Sequence, residues 1–173
     1  MLPTDALSSA GPRVVLVCGP AGAGKSTHAA RLERDGYMRL SFDEEAWRLG
    51  HRDHPLAPDV AAAVHADLQR RLVEHVRAGD DVVVDTSFWS REQREAYRRV
   101  LAPEGVVPVV HYLATPRDVV LARLAERRHT SGNDVVVPLD RALAYLDEFE
   151  VPTPDEGPLV VVDGVQSRKW PAT

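Results

Sequence analysis

Arg13-Val14-Val15-Leu16-Val17-Cys18-Gly19-Pro20-Ala21-Gly22-Ala23-Gly24-Lys25-Ser26-Thr27 is the stretch that decides the fold. An apolar run leads into a glycine-rich turn, and the turn closes on Lys25 and Ser26. Lys25 is one of only two lysines in the chain, the other being Lys169, whereas arginine serves every other cationic position. A ring of backbone N–H groups around a phosphate admits a slim ammonium on a flexible stem, and a planar guanidinium is too wide for it. The spacing G-x-x-x-x-G-K-S fixes four positions and arises by chance in roughly one such chain per thousand. Strand, glycine-rich loop and helix, here opening near Thr27, is the setting this pattern requires.

Gly19, Ala21, Gly22, Ala23, Gly24, Lys25, Ser26 and Thr27 are therefore the candidate nucleotide-phosphate residues. The N–H groups of Gly22, Gly24, Lys25 and Ser26 are expected to wrap a β-phosphate at a helix N-terminus, whose dipole favours an anion. Ser26 supplies a hydroxyl for Mg²⁺, and Thr27 is expected near an α-phosphate.

Outward from the loop, apolar runs recur at Tyr37–Ser41, Asp81–Asp85, Val106–Leu113 and Leu159–Asp163. Continuous valine-rich runs predict strands buried on both faces of a parallel sheet. Helical patterns fill the gaps. Val60, Val64, Leu68, Leu72 and Val76 form one stripe ending near Gly79, and Ser90 with Gln93 reads as a capping box. Thr115-Pro116 predicts another helix start, and a last helix from about Pro138 to Phe149 should turn Leu139, Leu143 and Leu146 inward. The expectation is a three-layer α/β fold with a five-stranded parallel sheet flanked by helices. Residues 1–12 read as a flexible tail and 13–173 as one domain.

Bulk properties narrow the partners. The chain has 173 residues and a net charge of −5. That balance argues against binding a nucleic acid mainly through its phosphates, which calls for a basic excess. Cys18 is the only cysteine, so no disulfide framework is expected. No basic and apolar leader precedes Gly11, and no run approaches the roughly 18 apolar residues of a membrane helix. A cytoplasmic protein is expected. His51, His54, His65 and His75 do not read as a metal cluster.

Chemistry is expected at strand ends, where open α/β sheets bind ligands. Asp43 follows the second strand and either accepts a hydroxyl proton during attack on a γ-phosphate or caps the helix through Trp47. Asp85 ends Val82-Val83-Val84-Asp85 and either holds a metal-bound water, bonds the acceptor, or makes a turn with Thr86 and Ser87. Thr86, Ser87 and Trp89 then fall on the acceptor side. Arg123 and Arg127 lie four apart on one helix face, followed by a polar loop to Asp134. They are either cations of a small mobile lid, with Arg127 at the γ-phosphate, or part of a solvated helix end. Gly164 and the loop after it are expected near the base.

The order G-x-x-x-x-G-K-S, F-D-E-E-x-W-R, V-V-V-D-T-S, R-x-x-x-R and V-P-x-D, spanning about Val14 to Phe149, resembles the P-loop kinases. The similar group contains polynucleotide 5′-kinases, chloramphenicol phosphotransferases and zeta-toxin or AAA-type small kinases. The resemblance implies Asp43 as general base, Lys25 and Ser26 on phosphate and Mg²⁺, Arg48 and Asp85 at the acceptor, and Arg123 with Arg127 as lid arginines. Asp43-Glu44-Glu45 stands where a strand-tracking kinase would carry basic residues. Together these point to transfer of the γ-phosphate of ATP to a small-molecule hydroxyl. A kinase of nucleic-acid ends or nucleotides and a hydrolysing P-loop switch are the alternatives.

Overall fold

The computed structural model describes residues 11–52, 55–130 and 138–165, with residues 127–130 described by backbone only. Strand β1 (Val14–Cys18) enters the loop, and helix α1 (Lys25–Arg34) leaves it. Then follow β2 (Met38–Ser41), α2 (Phe42–Arg48), α3 (Pro58–Arg77), β3 (Val82–Asp85) and α4 (Arg91–Leu101). The chain continues through β4 (Val109–Ala114), α5 (Arg117–Thr130), α6 (Leu139–Glu148) and β5 (Leu159–Asp163). The five strands are all parallel, in the order β2-β3-β1-β4-β5. The expected α/β architecture is the one observed. Most of the tail expected at 1–12, and the polar loop 131–134 expected to belong to a lid, lie outside the described residues.

Alternation along β1 divides the core. Val14, Leu16 and Cys18 face one side, where they join the α3 stripe of Val64, Leu68, Leu72 and Val76 together with Tyr97 and Leu101 of α4. Val15 and Val17 face the other side and pack with Ala29 of α1, Val83 and Leu113. All five β1 residues are buried, as the continuous run requires.

Two expectations of burial are corrected. β5 has the same valine-rich pattern but occupies a sheet edge, so Val161 is 63% exposed. Leu139 opens α6 at its exposed end, and Ala142 is the buried residue of that helix. A third concerns capping. Ser41, not Asp43, caps α2, accepting from the Glu44 N–H, so the Asp43 side chain is left for other work.

The order of strands matters for function. Each strand delivers its C-terminal end to one rim: the phosphate loop after β1, Asp43 after β2, Asp85 to Ser87 after β3, Thr115 after β4 and Gly164 after β5. Among the described residues, no helix is long and apolar enough to cross a membrane.

Candidate active site

The loop between β1 and α1 is held open by its surroundings. Gly22 and Gly24 adopt φ of +83° and +101°, a region side-chain-bearing residues rarely enter. A Cβ on Gly22 would also lie 3.2 Å from the Val120 carbonyl of α5. The loop carbonyls are drawn outward. Thr115 donates to the Ala23 carbonyl at 2.8 Å, and Arg123 donates to the carbonyls of Gly22 and Ala23 at 3.1 and 3.3 Å. Holding the carbonyls from behind turns the peptide N–H groups toward the rim. No side chain caps α1, and its first turn carries no acidic residue. The helix therefore presents the positive end of its dipole to the rim. Lys25 Nζ donates to the Pro20 carbonyl at 3.0 Å, folded across the loop it belongs to.

A cavity of about 420 Å³ opens over this ring. Lys25, Ser26 and Thr27 line it, as do Asp43, Asp85 and Ser87. Thr86 joins them, so the structure gathers the loop residues and the expected carboxylates around one space. Asp85 is buried and accepts from Arg39 Nη2 at 2.8 Å. Asp43, in the first turn of α2, is exposed to the cavity's solvent. The donor set of Ser26 hydroxyl and Asp85 carboxylate is hard oxygen, which suits Mg²⁺ sharing phosphate oxygens and waters. The ring of N–H groups suits the phosphates themselves.

Other expected residues lie elsewhere. Arg48 is not among the lining residues, because its guanidinium bonds Glu45 at 2.5 Å and Asp67 at 3.0 Å. Arg123 is buried beneath the phosphate loop rather than held above it on a lid, and its other nitrogen donates to the Gly164 carbonyl at 2.8 Å. Gly164 packs so tightly that a Cβ would lie 1.6 Å from Thr115 Oγ1 and 2.8 Å from the Ala23 carbonyl. Arg127 lies in α5, and its side chain is outside the described residues, as is Gln166.

Several functional residues escaped the sequence reading. Phe88 has φ +46°, the one described non-glycine residue with positive φ, and it sits between the lining residues Ser87 and Trp89. The strain is held by its surroundings: its ring stacks edge-on to Tyr97, and its carbonyl accepts from Arg94 Nη1 at 2.9 Å. The Ser87 carbonyl in turn accepts from the Gly19 N–H at 3.1 Å, tying the acceptor rim to the phosphate loop. His65 of α3 also lines the cavity, bonds the Tyr97 hydroxyl at 2.9 Å, and is pushed down to about 4 by burial. Arg39 carried a signal, being a cation beside the buried Leu40 and Ser41 in a short strand. Phe88 carried none.

The comparisons agree with this geometry. The AAA domain family matches residues 14–152, and the chain belongs to that family. Among curated proteins none matches it. The chain is similar in structure to a sugar kinase from Janibacter sp. HTCC2649, at 22% identity and a TM-score of 0.67, covering 90% of this chain and 87% of that one. It is also similar to a gluconokinase from Sinorhizobium meliloti 1021, at 26% identity and a TM-score of 0.61, covering 90% and 84%. A third likeness is to a chain of the Pnkp1/Rnl/Hen1 RNA repair complex, at 16% identity and a TM-score of 0.70, covering 84% of this chain but 46% of that one. The fold is that of the P-loop kinases.

Proposed function

We propose that this protein transfers the γ-phosphate of ATP to a hydroxyl group of a small molecule. One observation carries the reading: Asp43, a carboxylate with no ion pair among the described residues, shares a single cavity with a complete phosphate loop. In this reading the loop N–H groups and Lys25 hold the β- and γ-phosphates, and Asp43 accepts the acceptor's proton as its oxygen attacks in line. Ser26 and Asp85 would hold Mg²⁺, which when bound supplies charge neutralisation on the phosphates. Arg39 fixes the orientation of the Asp85 carboxylate through a charge-assisted hydrogen bond. Thr86 and Ser87 offer hydroxyls to the acceptor. The names of the sugar kinase and the gluconokinase support a small-molecule acceptor.

The likeness to the RNA repair chain favours a second reading, phosphorylation of polynucleotide 5′-ends. Asp43 on the cavity, with a net charge of −5, weighs against it, whereas Glu45, expected to repel a strand, is buried and paired with Arg48 and Arg71. The test is ATP-dependent phosphate transfer to a panel of neutral and charged alcohols, with 5′-hydroxyl oligonucleotides included at low salt. Transfer to small alcohols, abolished in Lys25→Ala, is expected. Efficient labelling of the oligonucleotides, weakening steeply as salt rises, would reverse the assignment.

A further inference from the structure

A second cavity, of about 320 Å³, adjoins the first and shares Ala21, Ser87 and Trp89 with it. Its remaining wall comes from α6 and the residue after it: Tyr145, Glu148 and Phe149. The Glu150 N–H, just beyond that wall, donates to the Trp89 carbonyl at 2.9 Å and ties the wall to the rim of the first cavity. The wall is aromatic, and it is open. Trp89 is 44% and Tyr145 48% exposed, an uncommon state for two large rings beside one hollow.

Charge narrows the occupant further. Among the described residues lining the two cavities, Lys25 is the single lysine or arginine, and it belongs to the phosphate loop. The carboxylates are Asp43, Asp85 and Glu148. Asp85 is matched by Arg39, whereas neither Asp43 nor Glu148 has an ion pair among the described residues. The neighbouring acid Asp147, by contrast, is paired with Arg117 at 2.7 Å. Among the described lining residues, an acceptor bearing a carboxylate or phosphate would meet these acids with only Lys25, committed to the phosphate loop, to offset them.

We propose that the acceptor is a ring-bearing alcohol without negative charge, its flat apolar part lying on Trp89, Tyr145 and Phe149. A protonated amine near Glu148 completes the match, and the hydroxyl extends past Ser87 to Asp43. The inference rests on the kinase reading above and departs from the acid acceptor in the gluconokinase's name. Rings stack on open aromatic faces with a gain beyond simple area burial, and Glu148 adds an electrostatic preference for a cation.

The test uses three compounds that share a phenyl ring and a secondary alcohol: 2-amino-1-phenylethanol, 1-phenylethane-1,2-diol and mandelate, with gluconate as a ringless acid. Binding is measured by calorimetry and phosphate transfer from ATP separately. The expected order of affinity is amine, then diol, with mandelate and gluconate weakest. Trp89→Ala is expected to weaken amine and diol alike by about tenfold. Glu148→Gln is expected to weaken the amine alone by about fivefold. Tight binding of mandelate or gluconate, no binding of any ring compound, or a Glu148→Gln effect equal on amine and diol overturns the proposal. Ring compounds that bind in the expected order without accepting phosphate leave this site standing and overturn the kinase reading. Phosphorylation of gluconate in preference to the amine does the reverse.

Discussion

Lys25 and Asp43 line one cavity, and their substitutions separate binding from chemistry. Lys25 Nζ already folds across the loop to the Pro20 carbonyl, so the space inside the ring is sized for an ammonium. A guanidinium placed there would collide with the loop or displace it. Lys25→Arg is therefore expected to remove ATP-dependent transfer, and activity within about tenfold of wild type would contradict the size argument. Asp43→Asn preserves shape while removing the proposed base. Turnover is expected to fall by about 10²-fold or more with ATP affinity little changed. If nucleotide affinity collapses instead, Asp43 acts at the metal and Asp85 takes the acceptor's proton. Cys18 has no such role: it is fully buried and its thiol is pushed up to about 11 by burial.

At the scale of elements, α4 is the strap that shapes the acceptor rim. Arg94, fully buried on that helix, donates to Glu156 at 2.7 and 2.8 Å and to the carbonyls of Phe88 and Glu150 at 2.9 Å. One side chain thus fixes the strained Phe88 and the segment leading to β5. The Arg94 hydrogen bonds hold the Glu156 carboxyl below its usual range. Arg94→Met leaves that carboxylate buried with Arg98, 3.6 Å away, as its one remaining cation among the described residues, and is expected to cost about 3 kcal/mol in urea unfolding. Pairing it with Glu156→Gln should recover part of the loss; a single-variant cost below about 1 kcal/mol would show that the pair is dispensable. None of this was legible in the chain. Arg94 reads as one more surface arginine in Arg91-Glu92-Gln93-Arg94, because its partner lies 62 residues away. What was legible is local: the phosphate loop, the α3 stripe and the Ser90 cap are all set by spacing within a few turns. Position in the sheet was not, which is why β5 reads like β1 yet lies at an edge. Arg123 was misplaced for the same reason, since four-residue spacing identifies a shared face but not what that face meets.

Over the whole molecule, burial of neutral histidines sets how stability responds to acid. His65, among Phe42 and Tyr97, is pushed down to about 4 by burial. His111 of β4 is also pushed down to about 4 by burial, with a further contribution from His28 of α1, whose ring nitrogen lies 2.9 Å away. His28 is itself lowered by burial and by Arg31. An unfolded histidine titrates near 6.5, so between about pH 6.5 and about pH 4 the unfolded chain binds more protons than the folded one. Stability therefore rises with pH across that window and is full above it. Allowing for partial exposure, the two groups together contribute on the order of a few kcal/mol to the change. Depressed carboxylates such as Asp81, held down by Arg13, add their own loss only at lower pH. Urea midpoints measured at about pH 7 and about pH 5 are expected to fall in the wild type. His65→Gln with His111→Gln starts from a lower midpoint, because two packed rings are gone, yet its fall between the same two conditions should be smaller. An equal fall in both proteins would show that His65 and His111 do not carry the acid sensitivity.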